Sequence, residues 1–487
     1  MPVHKNFING KWVNSSSKKT FKSINPATKK PLGAFQLSNE NDVIRAVGAA
    51  ERAFEKWSSL PAPKRGEILL RFAGLLRNEK ERLSRLVTAE MGKVISEGRG
   101  DVQEAIDVAE YMAGEGRRLF GHTTKSELRD KFAMTIKMPV GICGMISPWN
   151  FPVAIPAWKI MPALVCGNTV VFKPASDTPL CALEFIRLLE KAGIPKGVVN
   201  VVTGSGSDVG MPLIKHKKVS CISFTGSRET GEIITENAGI KKVGLELGGK
   251  NGIIVMDDAD ISLAIDGVLW GAFGTTGQRC TATSRVIVHR KIRKKFERKL
   301  VERTKRLKLG NGMLPSTDVG PLINLAALEK VRSYVDIGKT EGARLLCGGD
   351  SSKGKGFFYS PSVFTGVSPD MRIAREEIFG PVLSLLEINN IDEAIDVMNA
   401  VDYGLSSAIY TKNMKFAFYA IDRIEAGLTY VNSSTIGSEV HLPFGGVKAT
   451  GSTREAGIEG INEFSETKTV YFDYSDRLQK AQIDVVK

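Results

Sequence analysis

The chain has 487 residues, more than one hydrophobic core usually supports, so two or three domains sharing interfaces are expected. A hydrophobic fraction of 42%, a charged fraction of 25% and 49 glycines fit ordinary α/β composition and exclude disorder, collagen and coiled coil. The net charge of +14 is compatible with an anionic partner, but the densest basic stretch, residues 290–308, sets Phe296, Leu300 and Leu307 at roughly helical spacing among eleven Lys/Arg; it reads as a solvated helix face, and no nucleic-acid partner is expected.

The first residues lack the apolar core and small-residue cleavage signal of a leader, and no run approaches the ~20 apolar residues that cross a bilayer. A cytoplasmic chain with no membrane partner is expected. Residues 39–57 open with polar capping residues and then place Val43, Ala46, Ala50, Phe54 and Trp57 at three- and four-residue steps, predicting an amphipathic helix. Longer helices are predicted over 61–91, from Leu69, Phe72, Leu75, Leu76, Leu83 and Leu86, and over 101–120, from Val102, Ile106, Ala109, Tyr111 and Met112.

From Phe132 the pattern changes to short β-branched runs divided by glycine, proline and asparagine, with helical segments between them. That alternation predicts βαβ units and parallel sheets. Strands are predicted over 140–146, 169–172, 198–202, 221–225 and 242–246, with a helix over 180–192. A second series follows over 252–256, 283–289, 382–387, 407–410 and 427–432. No internal repeat or low-complexity linker separates the two series, so the two α/β regions should pack directly together.

The six cysteines are scattered without CxxC pairing, so neither a disulfide framework nor a metal site is expected. Cys280 stands apart, in Gly-Thr-Thr-Gly-Gln-Arg-Cys-Thr-Ala-Thr-Ser-Arg. A thiolate attacks carbonyl carbon well, and positive charge beside it lowers its pKa. A cysteine taken alone is more often an inert buried residue, but polar, glycine-rich flanks and Arg279 argue against inertness here. Glu246 lies at the end of an apolar run in Val-Gly-Leu-Glu-Leu-Gly-Gly-Lys-Asn, where partial burial would raise its pKa and suit it to general-base work; the alternative is an ion-paired edge residue. Asn150, in Ile-Ser-Pro-Trp-Asn-Phe-Pro, is held between prolines after a predicted strand and could donate to an oxyanion, or simply form a turn. Two glycine-rich loops follow strands, over 203–210 and 224–231, and the second leads into a helix whose N-terminus could receive a pyrophosphate. Glycine loops are also common connectors.

Together these residues resemble the NAD(P)-dependent aldehyde dehydrogenase superfamily over nearly the whole length. Ile-Ser-Pro-Trp-Asn-Phe-Pro, Phe-Lys-Pro-Ala, Phe-Thr-Gly-Ser, Leu-Glu-Leu-Gly-Gly-Lys, Gly-Gln-Arg-Cys, Glu-Ile-Phe-Gly-Pro and Pro-Phe-Gly-Gly-Val-Lys occur in the family's order. The general pattern is similar to the semialdehyde-oxidising branch, including 2-oxoglutarate semialdehyde dehydrogenases.

The resemblance implies an α/β fold: a variant Rossmann cofactor domain over 1–120 and 139–246, a second α/β catalytic domain over 247–460, and a small β oligomerisation element over 121–138 and 461–487, with a strand near 467–472. It implies Cys280 as nucleophile, Glu246 as the base that activates water, Asn150 and the Cys280 backbone N–H as oxyanion hole, and Lys159 and Glu455 as proton relays. For the cofactor it implies Lys173 and Ser176 at the adenosine ribose, Gly206, Gly210, Gly226 and Ser227 at the pyrophosphate, and Glu377 with Phe379 at the nicotinamide ribose. Ile146, Ser147, Pro148, Trp149, Phe224, Thr225, Leu247 and Gly248 complete that set. NADP or NAD is implied, with NADP favoured because Ser176 stands where NAD-preferring relatives tend to carry glutamate. Asp177 is the complication, since a side chain turned inward would restore part of the repulsion. Arg279 occupies a place where neutral or small residues are common; it reads either as a cation for a substrate carboxylate or phosphate that also depresses the Cys280 pKa, or as an outward-facing ion-pair partner. A small aldehyde substrate and a homodimer or homotetramer are implied. Members that pass the acyl group to coenzyme A tend to lack the glutamate, so hydrolysis to the acid is expected. The alternative is a catalytically silent member with a structural or nucleic-acid-binding role, against which Cys280, Glu246 and Asn150 together argue.

Overall fold

The computed structural model describes residues 2–351 and 355–484. The outermost positions of the ranges above, residue 1 and residues 485–487, lie outside the described residues. Two seven-stranded sheets carry the architecture. In the first, Lys242–Glu246, Cys221–Thr225, Ile142–Ile146, Thr169–Lys173 and Val199–Val201 run parallel in that spatial order, and the short antiparallel pair Asn6–Ile8 and Lys11–Val13 closes one edge. The central strands are buried along their whole length because helices cover both faces, which is why they read as continuous apolar runs. One face packs on helices Ala62–Asn78, Lys80–Met91, Ile95–Glu115, Ala154–Cys166 and Pro179–Lys191 around Leu69, Phe72, Phe172 and Phe185. The other packs on Glu40–Ser58 and Arg228–Ala238 through Val43, Val47, Ile222 and Ile234.

This order places the site. The chain lays down Ile142–Ile146, moves outward through Thr169–Lys173 and Val199–Val201, then returns to the opposite side for Cys221–Thr225 and Lys242–Glu246. The loops leaving Ile142–Ile146 and Cys221–Thr225 therefore diverge, and a crevice opens between them at the carboxyl ends of the strands.

The second sheet runs Arg344–Cys347, Ser362–Thr365, Val382–Ile388, Thr283–His289, Asn251–Val255, Ser406–Tyr410 and Leu428–Val431, parallel except for its first strand. Helix Arg290–Thr304 buries Phe296 and Leu300 against it and leaves most of its cationic side chains outward. A third sheet pairs Ser465–Asp473 antiparallel with Lys131–Pro139 along their full length, with Thr123–Lys125 on the far side. Among the described residues no helix is long and apolar enough to cross a membrane.

Several boundaries differ from the sequence reading. The helix expected over 61–91 is two helices, broken at Glu79, whose φ of −99° and ψ of 8° leave the helical region. The helix expected over 101–120 runs Ile95–Glu115, six residues earlier at its start and five earlier at its end. The amino-terminal strands Val3–His4, Asn6–Ile8, Lys11–Val13, Thr20–Ile24 and Pro31–Gln36 were not anticipated. The chain also crosses back late: Phe444, Ala456, Ile461 and Phe464 belong to the core of the first sheet.

Candidate active site

Cys280 ends a loop that cannot relax. Thr275, Thr276 and Gly277 have φ of 51°, 59° and 69°, and the two threonines take a left-handed conformation that L side chains rarely adopt. Three tethers hold it there. Glu97, from helix Ile95–Glu115, accepts from Thr275 N through both carboxylate oxygens at 2.8 and 3.0 Å. Gln278 donates to Thr275 O (3.2 Å) and Pro321 O (3.3 Å) and accepts from Ile323 N (2.9 Å). Asn251, at the start of a strand of the second sheet, donates to Cys280 O (2.7 Å) and Ala282 O (3.0 Å) and accepts from Ser406 N (2.9 Å), so its whole amide serves the position of the nucleophile.

The thiol stands on two cavities. One, of about 220 Å³, is lined by Pro148, Trp149, Asn150, Thr225, Gly226, Ser227, Leu247, Gly248, Glu377 and Phe379 as well as Cys280. The other, of about 150 Å³, adds Glu246, Glu455 and Arg279 to an apolar wall of Phe151, Trp158, Trp270 and Phe444. Asn150 Nδ2 donates to Gln278 O (3.1 Å), which fixes the amide plane beside the thiol and leaves its second hydrogen free.

Glu246 ends its strand buried, and neither carboxylate oxygen has a hydrogen-bond partner among the described residues. Burial, reinforced by the charge of Glu455, holds its carboxyl well above the usual range, against the pull of Lys159. Burial also pushes the Cys280 thiol up to about 12, with Glu246 and Glu377 adding to the rise. The Arg279 guanidinium, read from the sequence as a cation that depresses the thiol, is engaged by Glu97 (3.1 Å) and Thr275 Oγ1 (2.8 Å) and packs 5.3 Å from the Phe151 ring centroid. It does not face outward, since it lines the second cavity. Lys159 is buried, ion-paired with Glu455 and donating to Ser223 Oγ at 3.0 Å. Glu455 is placed by backbone hydrogen bonds in both directions with Phe444, whose ring stands edge-on to Trp158 at 5.0 Å.

The remaining cofactor candidates lie along the carboxyl ends of the first sheet. Ile146, Ser147 and Phe224 end their strands or follow them, and Gly210 lies against Ile146. Gly206 begins a helical turn capped by Ser205, open on its Cα side. Lys173 is buried, donates to Pro174 O (3.1 Å), and is lowered to about 8 by burial. Ser176 Oγ donates to Gly204 O (3.1 Å), while Asp177 accepts from Asn324 Nδ2 at 3.0 Å. Glu377 accepts from Gly249 N (2.9 Å), and a Cβ on Gly248 would lie 2.3 Å from its carboxylate, which would have to shift. Phe379 takes a positive φ of 57° and sets its ring edge-on to Trp149 at 5.5 Å. A dinucleotide suits this surface: the helix Arg228–Ala238 starts at the crevice behind Ser227, and Thr225 Oγ1 is buried on its wall without a partner among the described residues. The residues sequence reasoning missed are Glu97 and Asn251. Asn251 follows directly on the Leu-Glu-Leu-Gly-Gly-Lys run, but Glu97 lies 182 positions from Arg279 and carries no local signal.

The aldehyde dehydrogenase family model matches residues 12–470. An alpha-ketoglutaric semialdehyde dehydrogenase of Bacillus subtilis is 44% identical over 474 residues, covering 96% of this chain and 97% of that protein. An alpha-ketoglutarate semialdehyde dehydrogenase of Haloferax volcanii is 44% identical over 481 residues, covering 96% and 99%. The structure of a betaine aldehyde dehydrogenase of Staphylococcus aureus in complex with NAD+ superposes with a TM-score of 0.96 at 37% identity, over 98% of each chain. With the thiol, the buried carboxylate and the crevice in place, the chain belongs to the aldehyde dehydrogenase family, NAD(P)-dependent oxidoreductases that convert an aldehyde to its acid.

Proposed function

We propose that this chain oxidises a semialdehyde bearing a carboxylate, with Cys280 as nucleophile and Glu246 as base. The observation that carries the reading is the position of Cys280 on both cavities, with Glu246 on one only and Asn150 on the other. The thiol gives up its proton to water as its sulfur attacks the aldehyde carbon, and Asn150 Nδ2 with a backbone N–H holds the oxyanion of the thiohemiacetal. NAD(P), when bound, supplies the hydride acceptor that turns this adduct into a thioester. Glu246 then takes a proton from water, which attacks the acyl carbon and displaces the thiolate; Lys159 and Glu455 carry the proton onward. A carboxyl raised by burial is a stronger base than an exposed one and starts without a competing hydrogen bond.

In this reading residues 1–120 and 139–246 hold the cofactor, 247–460 supply the nucleophile and its cavity, and 121–138 with 461–487 build the contact of a homodimer or homotetramer. The last assignment is supported by the aromatic side chains Phe132, Tyr471, Phe472 and Tyr474, exposed on or beside the third sheet. Cofactor contacts run from Ile146 to Trp149, through Lys173, Ser176, Gly206, Gly210 and residues 224–227, to Leu247, Gly248, Glu377 and Phe379. NADP is accepted and favoured. Ser176 brings no charge and Lys173 adds one of the right sign; Asp177 is oriented by Asn324 but keeps its charge near Lys173, which limits the preference.

Substrate charge is read by Arg279. Its Nε and Nη2 are engaged, which leaves the hydrogens of Nη1 for a carboxylate entering the aromatic cavity. Two relatives named for a carboxylated semialdehyde support this class.

Glu246→Gln should give a full single-turnover burst of reduced cofactor and lose steady-state turnover by roughly 10²–10⁴-fold. Mass spectrometry of the mixture should show the acyl group on Cys280, and a variant that turns over normally would remove Glu246 from the role. Replacing Arg279 with Gln should lower kcat/KM for succinic semialdehyde by about 1.5–3 kcal/mol, the value of a charge-assisted hydrogen bond, and spare an uncharged aldehyde of equal length; equal losses would show that the guanidinium does not read charge. Ser176→Glu should raise KM for NADP far more than for NAD, by ~1–3 kcal/mol for one unfavourable charge contact. Equal changes would place Ser176 away from the ribose.

A further inference from the structure

Lys242, Gly244 and Glu246 alternate onto one face of their strand, and in register beside them Cys221, Ser223 and Thr225 share the same face of the neighbour. The inner end of this row is the Glu246 carboxylate. The outer end is half-buried Lys242, whose Nζ donates to Asn462 O (2.6 Å) and Ser465 O (3.2 Å). The position between them has no side chain: a Cβ on Gly244 would lie 2.1 Å from Glu463 Oε1, so the glycine leaves a notch that the Glu463 carboxylate fills.

Glu463 is buried, forms no ion pair, and neither of its oxygens has a hydrogen-bond partner among the described residues. A carboxylate kept this way costs stability and contributes nothing to packing that an apolar side chain would not. What surrounds it is a set of proton carriers. Lys159 and Glu455 face it from the base side, with Ser223 Oγ, the acceptor from Lys159 Nζ, next to it; Lys242 faces it from the rim, and the Cys143 thiol from the strand beyond. Burial holds its carboxyl up at about 7, against the pull of Lys159.

We propose that Glu463 is a proton-holding residue on the exit path from Glu246, which runs through the Glu455–Lys159 pair and the Ser223 hydroxyl to Glu463 and out at the Lys242 rim. The inference rests on Glu246 being the base. Hydrolysis of the thioester breaks the C–S bond and forms a C–O bond from water; the new acid gives one proton to the Cys280 thiolate, and the other stays on Glu246 and must cross a buried region every turnover. Glu246 returns it to Glu455. Lys159 takes a proton from Glu455 as it gives one to the Ser223 oxygen, and the Ser223 hydroxyl, not hydrogen-bonded to Glu463 at rest, turns to pass its proton there. Glu463 releases it to water at the rim, every group ends as it began, and no further reactant is needed.

The test is the full-length enzyme with Glu463→Gln, compared with Gly244→Ala, which displaces the carboxylate without removing it. Both should keep the burst of reduced cofactor and lower steady-state turnover on the order of tenfold, with a larger solvent deuterium isotope effect. Wild-type kcat should rise as pH passes upward through about 7, where the Glu463 carboxyl ionises, and Glu463→Gln should lose that rise. Wild-type turnover, pH profile and isotope effect in Glu463→Gln would overturn the proposal, as would loss of the burst together with turnover, which marks a structural role. Normal turnover in Glu246→Gln would instead remove the base, and the path with it.

Discussion

The position of the Cys280 sulfur depends on a loop that both halves of the molecule hold in an unfavourable conformation. Two consecutive left-handed threonines cost on the order of 1–3 kcal/mol each, and such a conformation persists only where surroundings over-determine it. Glu97 reaches the loop from the helical layer over the first sheet, and Asn251 from the start of an interior strand of the second. The two sheets must therefore pack in one arrangement for the loop to close, so the nucleophile's place is a property of the whole fold. The crevice at the strand-order reversal and the aromatic cavity behind it meet at this one sulfur.

Electrostatics at the site follow from the same burial. Glu246, Glu377 and Glu463 lie where water does not reach freely, and each carboxyl is raised. The thiol is raised too, by the same burial. The ion pair of Lys159 and Glu455 matters in this setting because it joins a proton donor to a proton acceptor beside the Glu246 carboxylate.

Much of this was legible in the residues. The five parallel strands of the first sheet and most strands of the second were marked by β-branched runs ending in glycine or proline, because strands buried on both faces have no polar side to obscure the signal. The amino-terminal strands were not legible: runs as short as Asn6–Ile8 carry too few residues for a period to show. The break at Glu79 had no glycine or proline to announce it, and Gly98 and Gly100 hid the true start of helix Ile95–Glu115. Cys280, Glu246 and Asn150 could each be singled out from chemistry and flanks, yet each had a bland reading until the ordered motifs brought the family into view. Arg279 shows the limit: its meaning depends on Glu97 and Phe151, distant in sequence, and only assembly revealed an inward-facing, ion-paired cation.

The central claim is that the sulfur of Cys280 performs the chemistry while other residues along the crevice hold the cofactor. Its most direct test is Cys280→Ala, assayed for aldehyde-dependent formation of reduced cofactor and, separately, titrated with NADPH and NADH by fluorescence. The account predicts no oxidation and dissociation constants close to those of the unaltered enzyme; aldehyde oxidation at a substantial fraction of the original rate would contradict it.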